Sequence, residues 1–242
     1  AGDVGGQFSL VRFNANGHTD VTFGTGGNGL ADPLFSGAAK SVIVLPDNKI
    51  LVGGTGNQNF ALARYNSDGT LDSEFGTNGY VTTELGRSTS AKSLAIQDDG
   101  KIIISGSSFF DGLGTVAVLI RYNPDGTLDQ TYGNGGIVLN YLSSAGESVV
   151  LQEDGQAIVA GSSNSEVALF RFSSEGNLDT SFDLPSGAIN KSSISYIEQS
   201  APVIIAGDAS IYDADLDALD NYGGASLSLS RQSEPNTEDL FS

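Results

Sequence analysis

The sequence has no cysteine, which excludes disulfides and thiolate metal sites. It also lacks tryptophan and methionine, and His18 is its only histidine. His18 follows a turn glycine and is expected to be an exposed turn residue. That argues against a histidine-based triad and excludes a multi-histidine zinc site. Without an initiator methionine, Ala1 is not expected to be a translation start; a processed, excised or partial chain is expected instead. Basic residues are scarce, 11 against 29 acidic ones, for a formal net charge of -18. Nucleic acid needs a basic footprint and is not an expected partner. Cations suit this charge better. Apolar runs such as Val116 to Ile120 are far too short to span a membrane. No helical periodicity is long enough to support βαβ units.

What is present is glycine, 32 residues of 242, in a chain that is 39% hydrophobic and 17% charged. That balance describes a folded, turn-rich protein and not a disordered one. The length suits one large all-β domain or two smaller ones. Acidity, absent cysteine and abundant glycine, serine, asparagine and aspartate point to an exported bacterial protein, extracellular or on the cell surface.

The chain repeats itself. "RFNANGHTDVTF" from Arg12, "RYNSDGTLDSEF" from Arg64, "RYNPDGTLDQTY" from Arg121 and "RFSSEGNLDTSF" from Arg171 share an arginine, an aromatic next to it, a glycine five residues on, an aspartate eight on and an aromatic eleven on. The arginines are 52, 57 and 50 residues apart. Between them recurs an apolar strand, a polar turn and a second apolar strand ending in glycine: "SVIVLPDNKILVGG" from Ser41, "SLAIQDDGKIIISG" from Ser93, "SVVLQEDGQAIVAG" from Ser148 and "SISYIEQSAPVIIAG" from Ser193. Asp99-Gly100 and Asp154-Gly155 are strong hairpin signals, because glycine supplies the positive φ of such turns.

Each repeat is therefore expected to hold four antiparallel strands. In the third copy they are Glu147–Leu151, Gln156–Gly161, Val167–Phe172 and Leu178–Phe182. About 40–50 residues for four strands is the size of a β-propeller blade. The predicted fold is all-β, a β-propeller of four repeats over 1–207, divided approximately at 2–54, 54–106, 106–161 and 161–207. The phase leaves the third and fourth strands, Phe8–Phe13 and Asp20–Phe23, at one end. The first and second, Ser193–Tyr196 and Val203–Gly207, fall at the other. The last blade would be completed by strands from both ends, within one molecule or between neighbours. A joint between neighbours is heterologous and builds a filament unless its rotation closes a ring.

The Arg-aromatic-Asn-x-Asp-Gly-Thr-Leu-Asp element, followed by Asp-Gly-Lys-Ile-x-x-x-Gly, resembles the delta-sixty repeat family of bacterial β-propeller proteins over residues 2–207. The resemblance implies a propeller in a large exported protein and implies no enzyme activity. After Gly207 the repeat stops. "DADLDALDNYGGASLSLSR" resembles the opening of cadherin-like modules in large RTX-type bacterial surface adhesins. The segment 208–242 would then be the start of a truncated module, an acidic linker, or a donor strand at Ala225–Ser230.

Counting back from the turn at Pro124-Asp125-Gly126 pairs Arg121 with Asp129 across the hairpin, and likewise Arg12 with Asp20, Arg64 with Asp72 and Arg171 with Asp179. As exposed pairs these contribute about 0.2–1 kcal/mol each. A calcium loop built from Asn123, Asp125 and Asp129 is the competing reading. Its glycine is misplaced and no acid falls at the twelfth position, against the ligand geometry calcium loops use. The runs "GTGGNG" from Gly24 and "GNGG" from Gly133 lack the helix and Gly-Lys-Ser/Thr of a phosphate loop. They read as connections between blades. In the tail, Asp213, Asp215 and Asp217 alternate on an extended segment and would project to one side, which makes calcium the one candidate cofactor. No convergent acid/base pair appears in the sequence.

These observations predict a non-enzymatic structural module of an exported surface or extracellular-matrix protein, acting in adhesion or self-assembly. Its expected partners are its own copies or neighbouring modules. The alternative is a propeller that binds a glycan or other ligand; a carbohydrate-active enzyme is the third reading.

Overall fold

A computed structural model of the chain describes residues 1–31, 34–141, 145–163 and 166–182. Every regular element among them is a strand, so no helix there is long and apolar enough to cross a membrane. The strands Ser193–Tyr196 and Val203–Gly207, the tail aspartates Asp213, Asp215 and Asp217, and the donor strand Ala225–Ser230 lie outside the described residues.

The strands form up-and-down antiparallel sheets in sequence order. A short hairpin comes first, β1 (Gly2–Val4) against β2 (Gln7–Ser9). The next sheet runs β3 (Gly37–Val44), β4 (Ile50–Gly56), β5 (Asn59–Tyr65) and β6 (Tyr80–Thr83). It is followed by β7 (Thr89–Ile96), β8 (Ile102–Phe110), β9 (Gly114–Tyr122) and β10 (Ile137–Asn140). The last described sheet has β11 (Ala145–Leu151), β12 (Ala157–Ser163) and β13 (Glu166–Phe172). All are antiparallel, and the two sheets described in full, β3–β6 and β7–β10, are four-stranded as the repeat predicts; the first and last show two and three strands among the described residues.

Inner strands of a single two-layer sandwich alternate buried and exposed residues. Here β8 is buried from Ile102 to Ser108 without a break. Both of its faces are covered, because each sheet packs on the sheets before and after it. Phe60, Leu62 and Phe75 of one sheet meet Leu94, Ile104 and Val118 of the next. On the far face of that next sheet, Ile103 and Leu119 meet Val149 and Val159. The strand pleat sends successive isoleucines to opposite neighbours, and each large side chain so buried contributes about 1.5–3 kcal/mol.

Each first strand is bulged, between Ala39 and Ser41, Ala91 and Ser93, and Gly146 and Ser148. The bulge explains the glycine that closes the second-strand signature. A Cβ at Gly54 would sit 2.2 Å from the Ala38 carbonyl oxygen, and one at Gly106 would sit 2.3 Å from that of Ser90. The bulge pushes the first-strand backbone into the space a side chain would need.

The fourth strand is not where the repeat pattern places it. Leu178–Phe182 and Asp20–Phe23 are turns, tied to the preceding strand by single bridges at Phe172–Leu178 and Phe13–Thr19. The fourth strands lie further on, at Tyr80–Thr83 and Ile137–Asn140. The aspartate causes the difference. Asp129 accepts the Thr131 N–H on Oδ1, and its carbonyl accepts the Tyr132 N–H. The chain therefore turns away after one bridge. The glycine run reverses it again, and the Arg121 N–H donates to the Gly136 carbonyl. The glycine runs thus lie within each sheet, before its last strand, and not between sheets. The strand assigned to Phe8–Phe13 is shorter too, regular only at Gln7–Ser9, with isolated bridges at Val11 and Phe13.

Candidate functional site

The repeated arginine makes the same set of contacts within each unit. Its Nε donates to the aspartate eight residues on: Arg12 to Asp20 at 2.8 Å, Arg64 to Asp72 at 2.5 Å, Arg121 to Asp129 at 2.7 Å and Arg171 to Asp179 at 2.8 Å. Its guanidinium lies over the aromatic eleven residues on, 4.2–4.8 Å from the ring centroids of Phe23, Phe75, Tyr132 and Phe182. Lysines join two of the sites, Lys49 at Asp72 and Lys101 at Asp129.

These pairs are not uniformly exposed, as the surface estimate assumes. The Arg121 and Asp129 side chains are each only 5% exposed, against 38% for Arg12. Burial alone would raise the Asp129 pKa. The Thr131 hydroxyl and N–H, Arg121 and Lys101 outweigh it and hold the carboxyl well below its ordinary range. Asp179 is lowered to about 2, first by the Ser181 hydroxyl and then by Arg171.

A second guanidinium nitrogen, Nη1, reaches forward to the next sheet. Arg12 Nη1 donates to the Ser67 carbonyl at 2.6 Å, Arg64 Nη1 to that of Pro124 at 2.7 Å, and Arg121 Nη1 to that of Ser174. Beside each contact, the N–H of the glycine after the aromatic ring donates to the following residue of the same turn. Gly24 meets Asp68 at 2.8 Å, Gly76 meets Asp125 at 2.7 Å, and Gly133 meets Glu175 at 2.7 Å. The phosphate-loop reading is thereby disfavoured, since these glycine N–H groups are already spent. The calcium-loop reading loses its ligands in the same way. Asp125 Oδ1 accepts from the Thr127 N–H and hydroxyl, and both Asp129 oxygens accept from Thr131, Arg121 and Lys101. Among the described residues no group of three histidine, aspartate or glutamate side chains could hold a metal. His18 is exposed in its turn.

A polar cleft of about 400 Å³ lies elsewhere, lined by Ser36, Thr55, Asn57, Gln58, Ser88 and Thr89 together with Gly37. Asn57 and Gln58 form its rim in left-handed conformations, φ 49° and 68°. Hydroxyls and amides line it, with no carboxylate and no imidazole among the described residues. Sequence reasoning does not find this cleft, because its side chains come from loops and strand ends that carry no repeated signature.

Three stretches, 45–75, 97–132 and 152–182, match the family model described as "Domain of unknown function (DUF5122) beta-propeller". Each begins at the turn after a first strand and ends on the aromatic under the arginine. The chain is built of β-propeller repeats. The successive sheets are accordingly its blades, and the arginine sites are clasps between one blade and the next. No curated protein matches the chain. A solved structure of a protein of unknown function from Bacteroides caccae resembles it at 15% identity and a TM-score of 0.39, over 61% of this chain and 47% of that one. The chain spans under half that protein's length, and the likeness is too slight to carry an argument.

Among the described residues the first blade is represented only by its later part. β1 and β2 repeat, 52 residues earlier, the Gly54–Gly56 and Asn59–Ala61 pairing of the next blade. Beyond Ser9, the partner that Ile50–Gly53 gives to Leu62–Tyr65 has no counterpart among the described residues. Arg12 donates its N–H to Gly29 on one side, so the backbone groups of Val11 and Phe13 face the other side, which is open among the described residues. Phe13 is 59% exposed, whereas its equivalents Tyr65, Tyr122 and Phe172 are at most 1% exposed.

Proposed function

We propose that the chain is a non-enzymatic structural module of an exported bacterial surface or extracellular-matrix protein, working in adhesion or self-assembly. The observation that carries this reading is the edge at Val11–Phe13, which has no partner strand among the described residues. Unpaired strand edges bearing an exposed aromatic invite an added strand, and natural proteins usually blunt or cover them. A strand from another copy, or from a neighbouring module of a longer chain, would satisfy the edge and cover Phe13. The similarity of the repeats to the delta-sixty family supports an exported setting, and the similarity of residues 208–242 to a cadherin-like opening supports a surface one. If calcium has a place, it is at Asp213, Asp215 and Asp217, which lie outside the described residues. Purified chain should form oligomers or fibres in ultracentrifugation and electron microscopy. A strict monomer at millimolar concentration would sink the reading.

The polar cleft at Asn57 and Gln58 favours ligand or glycan binding as the second reading. Its amides and hydroxyls suit a neutral polyol, and its lack of carboxylates weighs against glycoside hydrolysis, which works with a carboxylate pair. Unchanged Asn57 and Gln58 resonances across a panel of oligosaccharides would discard it.

A further inference from the structure

Each clasp has two halves, and among the described residues one half at either end does not meet its counterpart. The forward half is an arginine held by its own aspartate above an aromatic ring. The receiving half is the glycine turn of the next blade. Three complete examples lie among the described residues. In each, the receiving glycine lies against the ring and the glycine N–H of the preceding blade. A Cβ at Gly69 would fall 2.7 Å from the Gly24 nitrogen and 2.9 Å from the Phe23 ring. At Gly126 the distances are 3.1 Å to Gly76 and 3.1 Å to Phe75, and at Gly176 they are 3.0 Å to Gly133 and 3.0 Å to Tyr132.

The first turn, residues 14–17, is built like these receivers and receives no such donor among the described residues. The Gly17 N–H donates to the Asn14 carbonyl at 2.9 Å, as Gly69 does to Asn66, Gly126 to Asn123 and Gly176 to Ser173. Its φ is +82°, against +89°, +90° and +85° in the receivers. Asn16 accepts the His18 N–H at 3.0 Å, where Asp68 and Asp125 accept from their threonines. Yet among the described residues a Cβ at Gly17 would meet nothing within 4 Å. At the other end, Arg171 is fixed by Asp179 and lies over Phe182, as in the complete clasps. Among the described residues its Nη1 meets no turn carbonyl, and its side chain is 25% exposed against 5% for Arg121.

We propose that the Arg171 clasp of one chain binds the turn at residues 14–17 of a second copy, head to tail. The three internal clasps supply the register. Arg171 Nη1 donates to the carbonyl two residues before the glycine, that of Ala15, and Gly17 packs against the Phe182 ring. Both halves are already in their bound conformations, so joining them orders little that is not ordered. The occupant is a second copy because the two halves do not meet within the described molecule. A contact between unlike surfaces is heterologous; it closes into a ring or propagates as a filament. The proposal rests on the self-assembly reading above and names the surfaces that carry it.

Two substitutions separate the halves. Arg171→Ala removes the forward donor. Gly17→Asn keeps the left-handed turn, which asparagine tolerates best among residues with a side chain, and puts atoms where the ring of the other copy must lie. Sedimentation velocity of the wild type over a range of concentrations should show association. Each variant, folded by circular dichroism, should weaken it about tenfold or more, the scale of a lost hydrogen bond to a charged group. An equimolar mixture is the sharper measurement. The Arg171→Ala chain keeps a good turn and the Gly17→Asn chain keeps a good clasp, so the mixture should stop at one-to-one dimers joined by a single intact contact. If both variants associate as the wild type does, the clasp is not the contact, while self-assembly stands. If the wild type stays monomeric at every concentration, the inference and the reading beneath it both fail.

Discussion

Arg64 donates from Nη1 to the Pro124 carbonyl at 2.7 Å, sixty residues further along the chain, while its Nε holds Asp72 at 2.5 Å. One side chain thus closes its own hairpin and fastens the next blade. Stacked blades with only apolar faces between them could slide, because burial of apolar surface has no direction. A charged donor aimed at one carbonyl fixes the offset. The aromatic ring beneath holds the guanidinium flat and adds a cation–π attraction of about 0.5–2 kcal/mol, larger where the site is dry.

The clasps should therefore differ in strength by burial and not by sequence. Arg121→Ala leaves Asp129 and Lys101 in a closed site and should cost about 3–5 kcal/mol. Arg12→Ala, whose side chain is 38% exposed, should cost about 1 kcal/mol or less. Urea denaturation of the two variants reads the difference. Equal losses would mean that burial does not set the worth of these pairs.

Two buried tyrosines make opposite predictions on losing their hydroxyls. Tyr122 and Thr83 share a hydrogen bond of 2.6 Å. Tyr122→Phe strands the buried Thr83 hydroxyl and should cost about 1–3 kcal/mol. The Tyr132 hydroxyl is buried and has no hydrogen-bond partner among the described residues. Burial pushes its pKa up to about 12, against the pull of Arg121. Tyr132→Phe removes an unsatisfied polar atom while keeping the ring under the guanidinium, so it should be neutral or stabilising.

The sequence carries the blades and their phase openly, since the arginine, glycine, aspartate and aromatic recur at fixed offsets. Those offsets also place Arg and Asp opposite each other. What they do not show is that Asp129 spends its other oxygen on Thr131 and so ends the hairpin, which is why the fourth strand lies beyond the glycine run. Nor do they show the forward reach of Arg121 to Ser174. That contact uses a backbone carbonyl, and carbonyls leave no trace in residue identity. The polar cleft is hidden for a related reason, since Asn57 and Ser88 are brought together only when blades stack.

Acid should loosen the clasps in a defined window. Asp179 has an ordinary value of 3.8, lowered to about 2 in the folded chain by the Ser181 hydroxyl, Arg171 and the Ser181 N–H. A depressed carboxylate contributes stability that is fully present above its unfolded pKa and is lost as pH falls through the folded one. The contribution of Asp179 should hold from neutrality to about pH 4 and disappear between about 4 and 2. Protonation of other acids relieves the net charge of -18 and acts in the opposite sense. The comparison to make is therefore wild type against Asp179→Asn. The variant should be less stable at neutral pH and converge with the wild type near pH 2. A gap independent of pH would exclude the charged carboxylate as the cause.

The open edge can be read one amide at a time. Within the second blade, Ala63 and Tyr65 pair with Val52 and Ile50, and Arg64 donates its N–H to Gly79 on the other side. The N–H groups of Ala63 and Tyr65 therefore point into the ladder, and those of Val11 and Phe13, 52 residues earlier, point to the side that has no partner among the described residues. In dilute chain the amides of Val11 and Phe13 should exchange with deuterium far faster than those of Ala63 and Tyr65, because exchange follows local opening and an unpaired edge needs none. Raising the concentration into the range where the chain associates should slow Val11 and Phe13 selectively, as an added strand takes their hydrogen bonds. Protection at every dilution would mean that the chain covers its own edge, and that strand addition between molecules is not how this blade is completed.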